Sequence, residues 1–160
     1  MSRPTPTPAA DFDFLMGRWR VRHHRLKLRL ADCREWDDFT GTSSARPLLH
    51  GVGNIDENEI GLPGGSYIGV TLRTFDAKIG TWRIYWFDSR YPEVTDPPMV
   101  GRFENGVGIF LAEHIFEGKP VRVRFLWSRP DAETCRWEQA FSADGGATWE
   151  TNLTMDFSRA

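Results

Sequence analysis

The chain has 160 residues, a length that favours a single domain with its own hydrophobic core. Its formal net charge at pH 7 is −2. This charge balance excludes a general attraction for nucleic acid, and no apolar run is long enough to span a membrane, so we expect neither as a partner. Aromatic residues make up 13% of the chain, a share that favours β-structure because pleated sheets accommodate aromatic side chains well.

The N-terminal segment, MSRPTPTPAA, is rich in proline and lacks the apolar middle of a secretory signal. We assign residues 1–10 to a flexible tail and residues 11–160 to one domain. Cys33 and Cys135 lie far apart and form no Cys-x-x-Cys motif, which suits a reducing compartment. These features predict a cytoplasmic protein.

After the tail, DFDFLMG predicts one short helical turn, with Asp11 or Asp13 as its N-cap and Gly17 at its end. From there apolar and polar residues alternate with a period of two, and turn residues interrupt the pattern at short intervals. The predicted strands are residues 18–30, 35–45, 47–59, 66–75, 81–89, 98–104, 107–116, 120–128, 134–142 and 148–158. Short connections in succession indicate an antiparallel meander, so we predict an all-β fold, a single up-and-down barrel of about ten strands.

The alternation also predicts which side chains face the barrel interior. In strand one the apolar parity changes after His23, which predicts a β-bulge near His24–Arg25 with His23 facing inward. The other predicted inward sets are Trp82, Ile84, Trp86 and Asp88 on strand five; Val121, Val123, Phe125 and Trp127 on strand eight; Cys135, Trp137, Gln139 and Phe141 on strand nine; and Trp149, Thr151, Leu153, Met155 and Phe157 on strand ten.

The stretch FSADGGATWE resembles the Asp-box turn of sialidases and other sugar-handling propellers. A propeller requires at least about four blades of roughly 40–45 residues each, and this chain has one match and no internal repeat. We therefore interpret the stretch as the hairpin between strands nine and ten. Ser142 and Asp144 are expected to bond turn amides, and Trp149 is expected to point into the core.

The stretch MGRWRV, with a Gly-x-Trp opening the first strand, resembles the start of lipocalins and other calycin barrels. In those families the Trp closes one end of the barrel and a cationic side chain from the last strand packs over it. The resemblance implies a cation–π contact between Trp19 and Arg159. Ten up-and-down strands are more similar to the fatty-acid-binding and nitrobindin-type members than to the eight-stranded lipocalins.

The wider pattern also resembles a group of uncharacterised bacterial calycin-like proteins. The stretches that carry this resemblance are FDFLMGRW, GVGNIDEN, WRIYWFDSR, VGRFENG, RWEQAFSADGGATWETN and MDFSR. It implies the barrel fold and no particular activity. The Gly-Thr-Trp-x-Gly-x-Gly opening of haem-binding nitrobindins is absent, so the resemblance does not imply haem.

Polar residues on the inward faces are the candidates for chemistry, because buried ionisable groups are costly and cluster at functional sites. His23, Asp88 and Glu113 are the catalytic candidates, since an imidazole near a carboxylate makes an acid/base pair. Alternatively, both carboxylates lie at strand ends in solvent and His23 satisfies a carbonyl at the bulge. Strand seven is ambiguous, because His114 on its other face would replace Glu113 inside. The candidate ligand-contacting residues are Tyr67, Arg73, Tyr85, Trp86, His114, Phe125, Trp127, Trp137 and Gln139.

The aromatic interior favours binding of a small apolar or aromatic molecule in the barrel lumen. The alternative is a cofactor-independent enzyme in the same cavity, of isomerase, cyclase or dehydratase type, with Tyr67, Tyr85 or Arg73 stabilising an oxyanion. Haem or metal binding through His23 or His114 is a third hypothesis. Because the chain has no His-x-His or Cys/His cluster, we expect no metal site and no cofactor. The sequence does not decide between a monomer and a homodimer.

Overall fold

The computed structural model describes residues 10–128 and 131–160 and shows a closed barrel of ten antiparallel strands. The strands are β1 (Gly17–Leu26), β2 (Trp36–Leu48), β3 (Gly53–Ile60), β4 (Tyr67–Asp76), β5 (Thr81–Asp88), β6 (Met99–Glu104), β7 (Val107–Phe116), β8 (Lys119–Ser128), β9 (Thr134–Ser142) and β10 (Glu150–Arg159). Each strand pairs with the next along the chain, and β1 pairs with β10 to close the barrel. The predicted all-β, up-and-down fold is confirmed. The predicted tail lies outside the described residues except for Ala10.

The register corrects the position of the predicted β-bulge. β1 pairs without interruption with β2 from Gly17 to Leu26, so it has no bulge near His24–Arg25. β1 ends at Leu26, which is buried, and Leu28 and Leu30, which continued the predicted change of parity, are exposed in the following loop. The irregularity lies instead in β10, between Thr151 and Leu153. His23 faces the interior as predicted and is 4% exposed.

The bounds of β2 and β3 also differ from the prediction. β2 continues through Pro47 to Leu48, and β3 begins at Gly53 rather than at residue 47. The chain reverses at Leu49 and His50, both with φ of 53°, followed by Gly51 with φ of 87°. Non-glycine residues seldom adopt this left-handed conformation, so the residue types Leu and His did not predict a turn here.

The N-terminal segment plugs one end of the barrel. A 3-10 turn, Asp13–Leu15, precedes β1. Phe12 is buried at this end of the barrel, and its ring centroid lies 4.9 Å from those of Trp82 and Phe103. Neither predicted aspartate caps this turn with its side chain. Asp11 instead accepts a hydrogen bond of 3.1 Å from Trp82 Nε1, because burying the indole requires an acceptor for its N–H.

Trp19 and Arg159 complete the closed end, as the resemblance to calycin barrels implied. The Arg159 guanidinium lies 3.7 Å from the centre of the Trp19 ring. Its nitrogens donate to the carbonyl oxygens of Met16 at 2.6 Å and Phe14 at 3.0 Å, while Trp19 Nε1 donates to Leu15 O at 2.7 Å. The last strand is therefore joined directly to the N-terminal plug.

The hairpin between β9 and β10 has the predicted turn and an unpredicted orientation. Asp144 accepts hydrogen bonds from the amide and hydroxyl of Thr148, and Gly146 N donates to Ser142 Oγ at 2.8 Å. Trp149 does not point into the core: its ring lies under the Arg124 guanidinium at 4.6 Å on the outer surface. The irregularity in β10 accounts for this, since it changes which residues face inward before Leu153.

No helix among the described residues is long and apolar enough to cross a membrane.

Candidate functional site: the lumen and its open mouth

Toward the end of the barrel opposite the plug, many inward-facing side chains are only partly buried. Most inward-facing residues near the plug are buried, apart from Phe75 and Phe103, whereas toward the other end Ile60, Val121 and Phe141 are buried and several others are partly exposed. The partly exposed inward residues are Phe39, Trp86, Ala112, His114, Phe116, Phe125, Gln139, Leu153 and Met155. Since their positions in the ladders direct them into the barrel, solvent reaches them through the lumen.

The ladder between β5 and β6 is short and ends before Trp86. β5 pairs with β6 only from Trp82 to Ile84, so the last residues of β5 have no partner on that side. On the other side Trp86 packs against Gly69, where an added Cβ would lie 1.9 Å from the indole ring. Gly69 thus leaves the space that the Trp86 ring occupies.

A buried polar group lies between the plug and the open lumen. Arg73, 2% exposed, forms an ion pair of 2.6 Å with Asp56 and donates to Asn54 Oδ1 at 2.9 Å. Asn58 donates to Asp56 at 2.6 Å. The Arg73 guanidinium also lies 4.9 Å from the centre of the Phe12 ring. Breaking such a pair leaves an uncompensated buried charge, so these residues join β3 and β4 to the plug.

His23 lies on the inward face of β1, and neither of its ring nitrogens makes a hydrogen bond of good geometry within the described residues. Its ring is stacked on Phe39, with 4.8 Å between the centroids and an angle of 10° between the planes. Burial lowers the pKa of His23 to about 4, and the nearby Phe39 carbonyl offsets this only in part. The imidazole is therefore neutral at pH 7.

At the mouth, Asp88 is engaged by Arg90. The Asp88 carboxylate accepts hydrogen bonds from Arg90 Nη2 at 2.8 Å, Nε at 3.1 Å and the backbone amide at 2.9 Å. The guanidinium of Arg90 lies 3.6 Å from the centre of the Tyr67 ring. Burial raises the pKa of Tyr67, so its phenol keeps its proton. This side of the mouth is a neutral ion pair packed on an aromatic ring.

Two further arginines at the mouth, Arg25 and Arg29, were not found from the sequence. Arg25 shares the inward face of β1 with His23, and the loop after β1 carries Arg29 over the Phe141 ring at 5.3 Å. Leu30 N donates to Glu150 Oε1 at 2.7 Å, which holds this loop against β10. Burial, followed by repulsion from Arg25, lowers the pKa of Arg29 to about 10. The predicted first strand ran to residue 30 with a bulge near His24–Arg25, so the prediction gave Arg29 no place at the mouth.

The structure does not bring the three catalytic candidates together. Glu113 lies on the outer face, where it accepts a hydrogen bond of 2.9 Å from Arg122 Nε, and His114 takes the inward position on β7. Asp88 is bonded to Arg90 at the mouth, and His23 makes no hydrogen bond to another side chain within the described residues. No hydrogen bond joins any two of the three in the described part of the chain.

The ligand-contacting candidates fall into three groups. Tyr85 pairs with Leu72 on the outer face and does not reach the lumen, which corrects its assignment. Trp127 and Arg73 are buried against the plug. The remaining candidates, Tyr67, Trp86, His114, Phe125, Trp137 and Gln139, line the middle of the barrel or its mouth.

Two of these lumen residues make polar contacts that hold them in place. Gln139 donates to Asn152 Oδ1 at 2.8 Å, and Asn152 is fully buried at the irregularity of β10. His114 Nε2 lies 3.1 Å from the carbonyl oxygen of Pro97, in the loop before β6. No group of three or more His, Cys, Asp or Glu side chains among the described residues is arranged to hold a metal ion.

The chain forms a closed, ten-stranded antiparallel meander with one end plugged by its N-terminal segment, which is an up-and-down barrel. No protein-family model matches the chain. No curated protein sequence matches it either. Among solved structures the chain is similar to an S-type phycobiliprotein lyase from Guillardia theta, with a TM-score of 0.59 and 8% sequence identity over 93% of this chain and 90% of that one. At this identity the likeness shows the fold alone.

Proposed function

We propose that the protein binds a small aromatic or apolar molecule in the open half of its lumen. The observation that carries this proposal is the set of inward-facing aromatic side chains that stay partly exposed beside a fully plugged end, including Phe39, Trp86, Phe116 and Phe125. Ligand sites of this kind combine apolar walls with a few polar groups, and Gln139 and His114 supply those here. The fold shared with a phycobiliprotein lyase supports a small-molecule ligand and makes a bilin one of the first compounds to test.

Acid/base catalysis receives less support from the geometry. General acid–base chemistry needs two groups positioned within hydrogen-bond reach of a shared substrate. Of the proposed set, Glu113 lies outside the barrel and Asp88 is neutralised by Arg90, which leaves His23 alone in the lumen. Ligand binding without a chemical step is therefore the function that we propose.

The test is to fill the lumen and measure the binding of a neutral aromatic probe. Ala112 faces inward opposite Val123, and its neighbour Leu111 faces outward and is 38% exposed. We expect wild-type protein to bind N-phenylnaphthylamine with enhanced probe fluorescence. Ala112→Phe should weaken this binding about tenfold or more, because the added ring occupies the volume of the ligand. Leu111→Phe adds a ring of the same size to the same strand and should leave binding unchanged.

Equal binding by the two variants would place the probe on the outer surface and overturn the proposal. Far-ultraviolet circular dichroism and the unfolding midpoint of each variant establish that both retain the barrel. If Ala112→Phe does not fold, Ala112→Leu, with a smaller addition of volume, provides the same comparison.

A further inference from the structure

The cationic side chains at the mouth differ in whether a carboxylate compensates their charge. Arg90 is held by Asp88, and Lys27 lies 3.7 Å from Asp37. Within residues 10–128 and 131–160, neither Arg25 nor Arg29 forms an ion pair with a carboxylate. The two are nevertheless close enough to repel each other.

Arg29 is the arginine whose charge is buried in this arrangement. Its guanidinium is held over Phe141, and its Nε is buried with no hydrogen-bond acceptor. Glu150 attracts it, but that carboxylate already accepts the Leu30 amide. Burying a cation beside another cation is unfavourable unless an anion completes the site, so this cluster is incomplete as it stands.

We propose that Arg25 and Arg29 bind the carboxylate of an aromatic carboxylic acid whose ring system enters the lumen. This inference rests on the proposed function and names the class of ligand. The aromatic part would contact the exposed rings of the open half, and the carboxylate would remain at the mouth where the arginines lie. Arginine suits this role, because its planar fork of N–H donors matches a carboxylate.

The carboxylates near Arg25 and Arg29 already have other partners. Those of Asp37, Asp88 and Glu150 are engaged by Lys27, Arg90 and the Leu30 amide respectively. Because Arg25 and Arg29 form no ion pair with a carboxylate in the described part of the chain, an anionic group on the ligand would complete this cluster.

Tyr67 provides one more donor at this position. Its phenol is within electrostatic reach of both Arg25 and Arg29, and it remains protonated because burial raises its pKa. Among the described residues its hydroxyl makes no hydrogen bond. A carboxylate at the two arginines would accept from this O–H as well.

The experiment compares naphthoate with its neutral methyl ester on the full-length protein, following tryptophan fluorescence and calorimetry. Wild-type protein should bind the carboxylate about tenfold or more tightly than the ester, as expected for charge-assisted hydrogen bonds. Arg29→Gln and Arg25→Gln should each remove most of this preference without weakening the ester. Arg20→Gln is the matched control, since it removes one positive charge from the outer face of the same strand and should preserve the preference.

Three other outcomes are distinguishable, and each contradicts a different part of the proposal. If carboxylate and ester bind equally and the arginine variants change neither, the carboxylate site is overturned while lumen binding stands. If all three glutamine variants lose affinity equally, the preference reflects overall charge and the assignment to Arg25 and Arg29 is wrong. If neither compound binds, both this inference and the proposed function fail. Arg29→Lys, which keeps the charge and loses the fork, should retain an intermediate preference.

Discussion

The closed end of the barrel is filled by large side chains, whereas the open end leaves comparable inward positions in contact with solvent. Phe12, Trp82 and Phe110 are each 1% exposed or less and pack ring against ring around the plug. Trp86 and Phe116, on the same strands as two of these residues, remain partly exposed. The comparison separates two regions along the same strands: one end is packed ring against ring, and the other is the region where we propose that a ligand binds.

The largest expected effect is on the free energy of unfolding when one aromatic ring is removed at either end of the barrel. Phe12→Ala should lower the free energy of unfolding by about 3–5 kcal/mol, because it creates a cavity among fully buried aromatic rings. Phe116→Ala should lower it by less than half as much, since Phe116 is partly exposed and packs on Phe141 alone among the rings around it. Urea unfolding of both variants measures the difference. Equal losses would show that the open end is packed as tightly as the plug.

His23 lies between the two ends and tests how dry the lumen wall is. Its folded-state pKa of about 4 is below the ordinary 6.5, so the unfolded chain binds the proton more readily. Stability from neutral His23 is therefore present above pH 6.5 and declines as the pH falls toward 4. The loss between pH 7 and pH 5 should be about 2 kcal/mol.

His23→Leu should remove this component of the pH dependence, as measured by urea unfolding at the two pH values. The exposed His50, in the turn between β2 and β3, offers a control. His50→Asn should retain the wild-type loss, because asparagine tolerates the same left-handed backbone. If the His23 variant loses as much stability on acidification as the wild type, the imidazole is hydrated rather than buried.

The alternation of residues predicted the barrel better than it predicted the site. The inward sets on β8 and β9 followed from period-two patterning, which is a local signal, whereas the Trp19–Arg159 contact was implied by the resemblance of the Gly-x-Trp opening to calycin barrels. The orientation of Trp149 depended on a one-residue irregularity in β10, and β1 ended at Leu26 rather than at residue 30; composition reveals neither. A slip of one residue exchanges the two faces of the strand on one side of it, so Trp149 was placed inside.

The candidate site was missed for a related reason. Arg29 reaches the mouth because a loop turns it back onto Phe141, a contact between residues distant in sequence. Leu30 and Asp32 adopt positive φ angles in that loop, of 55° and 53°, although neither is a glycine. Nothing in the period-two pattern distinguishes such an arginine from the solvated row Arg18, Arg20 and Arg22 on the preceding strand.

The smallest expected effect concerns the hairpin between β9 and β10, which lies outside the lumen. Hydrogen bonds from Thr148, with a further contact to Ser142, hold the pKa of Asp144 well below its ordinary value. A carboxylate with a lowered pKa stabilises the fold above its unfolded-state pKa, and this contribution is lost as the pH falls through the folded-state value. Asp144→Asn should therefore lower the thermal midpoint at pH 7 by a few degrees, and the difference from wild type should shrink below about pH 4.

Binding of N-phenylnaphthylamine should be the same in Asp144→Asn and in the wild type, because the hairpin packs on the outer face through Trp149 and Arg124. Asp96→Asn, an exposed carboxylate in the loop before β6, is the control and should change neither quantity. A fall in probe affinity in the folded Asp144 variant would mean that the hairpin contributes to the lumen site. The Asp-box-like sequence would then serve binding as well as the turn, and the boundary between the stabilising and binding regions would have to be redrawn to include it.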